Sequence, residues 1–349
     1  MTLPFAALPA SMTEVTIVQP GGPEVLQPRQ VPVPVPRPGE VLVKVAAAGV
    51  NRPDVLQRRG LYPMPPGANP TPGLEVAGTV VAVGEGVSAG RLGLASDNAP
   101  EWAVGDAVCG LTEGGGYAEY CVVPASQLLP QPAGLTAVQA AAIPETFFTV
   151  WANLFMMGHA REGEAVLVHG GTSGIGSTAL MLAREFGLKA VSTDGGPEKG
   201  EWSRRFGADL SIDHRSGDFL PQVMAWSGGR GVDMVLDIMG ASHFERNLAA
   251  LARDGRLLLL GFMGGMQVEG FNLASILLKR LVVTGSTLRA RTATEKAAIA
   301  QALRERVWPV LSAGRCVPHV CQTFPLDQAA EAHRLMEGRS HIGKIVLTV

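Results

Sequence analysis

Cysteine is scarce in this chain. Only Cys109, Cys121, Cys316 and Cys321 stand among its 349 residues, and no two are spaced as C-x-x-C. That excludes a disulfide scaffold and predicts reduced, mostly buried thiols in a cytosolic, cytoplasmic protein. Long apolar runs are missing too, with nothing near the roughly 18 residues of a membrane span. No Lys or Arg precedes Arg29, so the amino-terminal stretch lacks the positive region of a secretory signal. Neither sign of charge is in excess: 29 Lys and Arg face 31 Asp and Glu, for a net charge of −2. No basic field is available to hold a nucleic-acid backbone. The expected partner is therefore a small molecule, not a nucleic acid or a membrane.

What is present is globular in composition, with 46% hydrophobic and 17% charged residues. The length suits two domains, each with its own core. Residues 1–12 read as a loose extension. From Glu14, Val-rich runs alternate with Pro and Gly breaks in "EVTIVQPGGPEVLQPRQVPVPVPRPGEVLVKVAAAGV", and "GTVVAVGEGV" and "YAEYCVVPASQLLPQP" repeat the style. This predicts a mostly antiparallel β-domain over 13–132, interrupted by a polar, glycine-rich loop at 88–106. Past Gly134 the segment "TAVQAAAIPETFFTVWANLFMMG" is helix-forming, with a break at Pro144.

Strands and helices then alternate: strand 165–169, helix 174–186, strand 189–193, helix 198–206, strand 209–212, helix 216–226, strand 232–237, helix 242–252, and strands 255–261 and 280–285. Such alternation predicts a doubly wound parallel sheet, and continuous apolar strands such as "RLLLLG" fit one covered on both faces. The tail holds a basic helix, "VCQTF", a helix at 327–337 and a last strand, "KIVLTV", without a sheet of its own. It is expected to return to the first domain. The reading is an α/β chain with residues 134–286 as a doubly wound, Rossmann-type domain and 1–133 with 287–349 as a β-rich domain.

The turn "GGTSGIG" follows a strand and opens a helix. Gly171, Ser173 and Gly176 occupy the three places of the G-x-G-x-x-G fingerprint, with Ser173 replacing the second glycine. Small residues there let a pyrophosphate approach the backbone, and the helix N-terminus offers free N–H groups to it. Gly171, Thr172, Ser173, Gly174, Ile175 and Gly176 are thus candidate cofactor ligands. The fingerprint also asks for an acidic residue about 20 positions on to take ribose hydroxyls, and Asp194 stands there. The loop "GFMGG" after a sheet strand brings Gly261, Phe262 and Met263 toward the bound dinucleotide, or is a plain flexible loop. Phe262, Met263 and Met266 form an apolar wall for an aromatic substrate unless they are ordinary packing.

The turn is also similar to the "TGGxxGIG" of short-chain dehydrogenases. Those enzymes need Y-x-x-x-K, and neither Tyr62, Tyr117 nor Tyr120 has a lysine four residues later. The order of domains instead resembles the medium-chain dehydrogenases/reductases, with a GroES-like first domain. More narrowly it resembles their zinc-independent quinone oxidoreductase branch, of the p53-inducible quinone reductase type. The stretches that carry the likeness are "GGPEVL", "AAGVNRPDVLQRRGLYPMPPGA", "GLEVAGTV", "AAAIPETFFTVW", "VLVHGGTSGIG" and "HIGKIVLTV", and they span nearly the whole chain.

The resemblance implies further roles. Asn51 and Tyr62 would line the cleft beside the nicotinamide as catalytic residues, Tyr62 being otherwise a surface aromatic of a proline-rich loop. Thr149 would lie near the nicotinamide, or bond its own helix backbone. Arg289 would reach the substrate, or merely start a solvated helix. Zinc-dependent relatives have G-H-E where Gly73-Leu74-Glu75 stands here, and a cysteine near Asn51. Their structural zinc lobe uses four close cysteines, and residues 84–108 contain none. No metal is expected.

Relatives that prefer NADPH have a small residue at Asp194, a serine at Gly196, a tyrosine at His214 and a lysine matched by Lys199. The acidic Asp194 and the missing serine tilt the expectation toward NADH. The implied activity is metal-free reduction of a quinone by NAD(P)H. Reduction of α,β-unsaturated carbonyls or enoyl thioesters is the alternative, and a dinucleotide-binding structural or RNA-interacting protein is the alternative of another class. A homodimer is expected, built by pairing the apolar strand near 281–285.

Overall fold

The computed structural model describes residues 8–62, 64–87 and 102–349. Most of the expected extension at 1–12 and of the loop at 88–106 lies outside the described residues. Contacts divide the chain into two compact units, Met1–Glu145 with Arg291–Val349, and Thr146–Ala290.

In the first unit, β1 (Ser11–Ile17) pairs antiparallel with β2 (Leu26–Pro32). β3 (Glu40–Val50), β4 (Glu75–Val83), β5 (Ala107–Leu111), β6 (Tyr120–Pro124) and β7 (Leu128–Pro130) belong to a larger sheet, with α1 (Arg52–Arg58) leaving the end of β3. β3 is the hub, bonded antiparallel to β4 on one side and to β6 along part of its length. A fully buried apolar set, Val41, Val43, Val45, Val76, Val80 and Val108, fills the interior. This burial of alternate valines is what the Val-rich repeats encode.

α2 (Ala137–Ala140), capped by Thr136 through a reciprocal pair with Gln139, packs on β3 and β4. Residues 134–145 therefore cluster with the first unit, because the helix covers its sheet and the Glu145 amide donates to a Glu75 carboxylate oxygen at 2.8 Å. α3 (Pro144–Val150) runs directly into a wide π-type helix, Trp151–Met157.

The second unit is the doubly wound one. β8 (Ala165–His169), α4 (Gly174–Glu185), β9 (Lys189–Asp194), α5 (Pro197–Phe206), β10 (Leu210–Asp213), α6 (Phe219–Trp226), β11 (Val232–Asp237), α7 (Phe244–Ala250), β12 (Leu251–Leu259), α8 (Ala274–Lys279) and β13 (Val282–Gly285) follow in turn. All six strands are parallel, in the order β10-β9-β8-β11-β12-β13. The order reverses between β8 and β11, so the carboxyl ends of those strands open the crevice where such sheets bind ligands. The helix expected over 242–252 ends earlier, since Leu251 pairs in register with Val232 and begins β12. α8 falls between the two last expected strands.

The tail contributes α9 (Ala293–Arg306), α10 (Trp308–Ser312), β14 (Val320–Pro325), α11 (Ala329–Gly338) and β15 (Lys344–Thr348) to the first unit. β15 pairs antiparallel with β3 and parallel with β14, completing the seven-stranded sheet. Among the described residues, no helix is long and apolar enough to cross a membrane.

Candidate functional site

The glycine turn fits closely onto its own unit. Gly170 and Gly171 donate their amides to the Thr193 carbonyl at 2.9 and 3.2 Å, which presses the turn against β9. A Cβ on Gly176 would lie 2.1 Å from the Gly170 carbonyl oxygen, and one on Gly171 would lie 2.5 Å from Ser203 Oγ. Neither position has room for a side chain. Ser173 is the N-cap of α4: its hydroxyl accepts the Gly176 amide at 2.9 Å and donates to the Gly170 carbonyl at 2.8 Å. That is a structural reason for serine in the second fingerprint place. The Gly174 and Ile175 amides lie in the first turn of α4, where no intrahelical acceptor exists, and are only half-buried. A diphosphate is the group this cradle fits: two open amides at the positive end of a twelve-residue helix, reached over glycines.

Asp194 sits beneath the turn, only 2% exposed. Its Oδ1 accepts the Thr172 amide at 3.1 Å, and its Oδ2 accepts the Ser192 and Ser211 hydroxyls at 2.7 and 2.9 Å. The Asp194 carbonyl accepts the amide of exposed His214 at 3.0 Å. Lys199 lies half-buried in the first turn of α5.

Across the crevice, the Met263 and Gly264 amides donate to the carbonyls of Ile238 and Met239, just past β11. Gly261 sits over Ile238, and Phe262, Met263 and Met266 are exposed. Asp237 at the end of β11 accepts the Met239 and Gly240 amides, and burial pushes its carboxyl up to about 6 against those bonds. Thr149 is buried in α3, and its carbonyl accepts the Asn153 side chain at 2.8 Å. Arg289 is buried ahead of α9. Tyr62 is half-buried in the bend after α1.

The first unit holds a cluster the sequence reading did not assemble. Asn51 caps the start of α1 and is buried. Its Oδ1 accepts from Lys344 Nζ at 2.5 Å, and its Nδ2 donates to Glu75 Oε1 at 2.8 Å. Lys344 Nζ also reaches Glu75 Oε1 at 2.6 Å, and both charged side chains are buried. Asp54, fully buried, accepts the amides of Asn51 and Gly73 and the Tyr117 hydroxyl. Burial raises its carboxyl to about 6 against those amide bonds.

Tyr117 Oη lies 3.0 Å from His333 Nε2, and His333 Nδ1 lies 3.4 Å from an Arg58 guanidinium nitrogen. Arginine can only donate, so Nδ1 accepts and Nε2–H donates to the tyrosine. Burial, aided by the Arg58 charge, pulls His333 down to about 3. The one local signal for this cluster is a lone charge at the head of each of two apolar strands, Glu75 in "EVAGTVVAV" and Lys344 in "KIVLTV". Beside Glu75, Leu74 brings no donor atom for a metal. Among the described residues, no three His, Cys, Asp or Glu side chains gather at one point.

Comparison with known proteins agrees with this layout. Residues 37–133 match the alcohol dehydrogenase GroES-like domain family, and residues 206–347 match the zinc-binding dehydrogenase family. The chain is 32% identical over 342 residues to quinone oxidoreductase of Rattus norvegicus, covering 96% of this chain and 97% of that protein. Among solved structures, Escherichia coli quinone oxidoreductase complexed with NADPH superposes with a TM-score of 0.81 at 29% identity, over 97% of this chain and 100% of that one. A mycobacterial protein complexed with NADPH gives 0.82 at 32% identity, with the same coverage. The match runs through both units, the β-rich one and the doubly wound one, and the chain belongs to the quinone oxidoreductase family of the medium-chain dehydrogenases/reductases.

Proposed function

We propose that this chain is an NAD(P)H-dependent quinone oxidoreductase that works without a metal. The observation that carries the metal-free reading is the Lys344 ammonium between Glu75 and Asn51. Both Glu75 oxygens are engaged, one by Lys344 and Asn51 and the other by the Glu145 amide. A divalent cation at Glu75 would have to displace an ammonium already paired in a buried place, beside a leucine and a carboxamide. That donor set does not fit zinc.

Without a Lewis acid, a site has little to hold an alkoxide, so alcohol oxidation is disfavoured. An electron-poor acceptor such as a quinone needs less help. A bound reduced nicotinamide supplies the hydride. The chain's part is to hold and orient: the Gly174 and Ile175 amides would take the diphosphate, and the 261–263 loop would edge the ring. Asn51 would act as a rigid polar wall, since both ends of its carboxamide are already fixed. Tyr62 would face the acceptor.

The protein is further proposed to be a cytosolic homodimer with a small-molecule acceptor. β13 ends the parallel sheet, and apolar Val282, Leu273, Leu277 and Leu278 lie exposed on and beside it. An unpaired edge with an apolar flank favours a second copy.

The experiment is an oxidation assay of reduced cofactor with an ortho-quinone, a para-quinone and an enoyl-CoA. Turnover of a quinone supports the reading. Turnover of the enoyl-CoA alone replaces it with enoyl reduction, and dinucleotide binding with no turnover replaces it with a non-enzymatic role.

A further inference from the structure

We propose that Arg215 is the residue that selects the cofactor, and that it selects the dinucleotide phosphorylated on the adenosine 2′-oxygen. This rests on the reading that a nicotinamide dinucleotide lies on the glycine turn. It departs from the sequence expectation built on Asp194.

The reason begins with Asp194. To favour an unphosphorylated ribose, a carboxylate at the end of the second strand must turn outward and accept both ribose hydroxyls. Here the carboxylate is turned inward and is 2% exposed. Its oxygens already accept one amide and two hydroxyls, those of Thr172, Ser192 and Ser211. Ser192 and Ser211 stand on neighbouring strands, so their hydroxyls fix the carboxylate against the sheet rather than against solvent. Asp194 is a strut for the turn. Its charge is satisfied below the backbone, and turning it outward would orphan the Thr172 amide and two hydroxyls together.

The outer surface of the same corner carries a cation instead. Gly196 and Arg215 both donate their amides to Asp213 Oδ1, at 3.1 and 2.9 Å, which ties the loop after β9 to the loop after β10. That tie lays the Arg215 guanidinium over the two glycines. A Cβ on Gly195 would lie 3.2 to 3.4 Å from its atoms, and one on Gly196 would lie 3.7 Å away. Arg215 is exposed, and no carboxylate or other acceptor among the described residues takes its guanidinium. Asp213, two residues before it, directs its Oδ1 to the two backbone amides and forms no ion pair with it. A planar fork of donors without an acceptor, beside the strand end where the adenosine ribose lies in such folds, suits a phosphate bidentately. Exposed His214 follows Asp213 on the same loop and adds a second polar edge.

The test measures binding, so it does not depend on the acceptor. Affinities of the wild-type protein for NADPH, NADH, 2′,5′-ADP and 5′-ADP are taken by calorimetry, then repeated for Arg215→Ala and Arg215→Lys. The expected result is NADPH bound at least tenfold tighter than NADH, with the same order for the two adenosine fragments. Arg215→Ala removes most of that ratio by weakening NADPH while NADH changes less than threefold, and Arg215→Lys restores part of it. Asp194→Asn shifts both dinucleotides by a similar factor. A wild-type protein that binds NADH as tightly as NADPH overturns the proposal, as does a preference untouched by Arg215→Ala, or an Asp194→Asn loss confined to NADH. If neither dinucleotide binds, the proposed function itself falls together with this inference.

Discussion

Lys344 Nζ lies 2.6 Å from Glu75 Oε1 and 2.5 Å from Asn51 Oδ1, with the lysine and glutamate side chains 4% and 0% exposed. Removing one partner of a buried pair leaves an uncompensated charge, which costs about 3–5 kcal/mol. Lys344→Met is expected to lower stability by about that amount in a urea titration. The double variant Lys344→Met, Glu75→Gln should recover much of it, because no charge is then left buried. A loss under about 1 kcal/mol in the single variant would mean the pair is not held as seen.

The same pair bears on metal. Dialysis against a strong chelator is expected to leave quinone reductase activity and the unfolding midpoint unchanged. Stoichiometric zinc that leaves together with activity would contradict the metal-free reading, and elemental analysis of the protein before and after dialysis decides between them.

Acid stability follows from the buried histidines. His333 and His169 are both pulled by burial from about 6.5 to about 3. A depressed histidine contributes stability that is complete above 6.5 and is lost as pH falls toward 3, because the unfolded chain takes the proton first. Each costs about 1.4 kcal/mol per pH unit over that range. Asp54 works in the opposite sense: raised from 3.8 to about 6, its contribution is complete below 3.8 and lost as pH rises through 6. Asp54 and Asp237, raised alike, oppose the two histidines only between 3.8 and about 6. His333→Gln should therefore lose stability less steeply than the wild type as pH falls from 6.5 to 4. Parallel curves for the two proteins would show that His333 is not held neutral.

The glycine turn allows a test that separates binding from folding. Ser173 caps α4 with its hydroxyl, and aspartate is an equally good cap. Ser173→Asp keeps the cap but loses the bond to the Gly170 carbonyl, so it should fold with a modestly lower melting temperature while placing a negative charge beside the diphosphate. Dinucleotide affinity is expected to fall by about 1–3 kcal/mol. If titration finds the affinity intact, the turn is not where the phosphates lie.

How far the sequence could be read depended on how local each feature is. The turn, its strand and its helix are contiguous, so β8, residues 170–176 and α4 were legible from spacing alone. The Lys344–Glu75 contact joins residues 269 positions apart, and only the closing of β15 onto β3 makes it. Asp194 was visible as an acid at the end of β9, but its inward direction depends on Ser211 from the next strand, which spacing does not reveal. Arg215 went unnoticed beside His214 because its place over Gly195 comes from two amides converging on Asp213. α8 was missed because its leucines face outward, so they give no core-directed pattern to read.

Those outward leucines carry the last prediction. β13 takes no partner on its outer side among the described residues, and Val282 on it is 51% exposed. Leu277 and Leu278 on the adjoining α8 are 77% and 71% exposed. An apolar strand left at a sheet edge templates pairing with another chain, and a two-fold axis lets one edge pair with its own copy. The wild-type protein at micromolar concentration is expected to show twice the mass of one chain by light scattering. Leu277→Glu with Val282→Glu places two charges in each copy of that contact, four in all, and should yield single chains with unchanged far-ultraviolet circular dichroism. Neither side chain belongs to the core of the second unit, so the fold should tolerate the change. A wild-type protein that already runs as a single chain would remove the dimer, and a double variant that keeps the full mass would move the interface elsewhere.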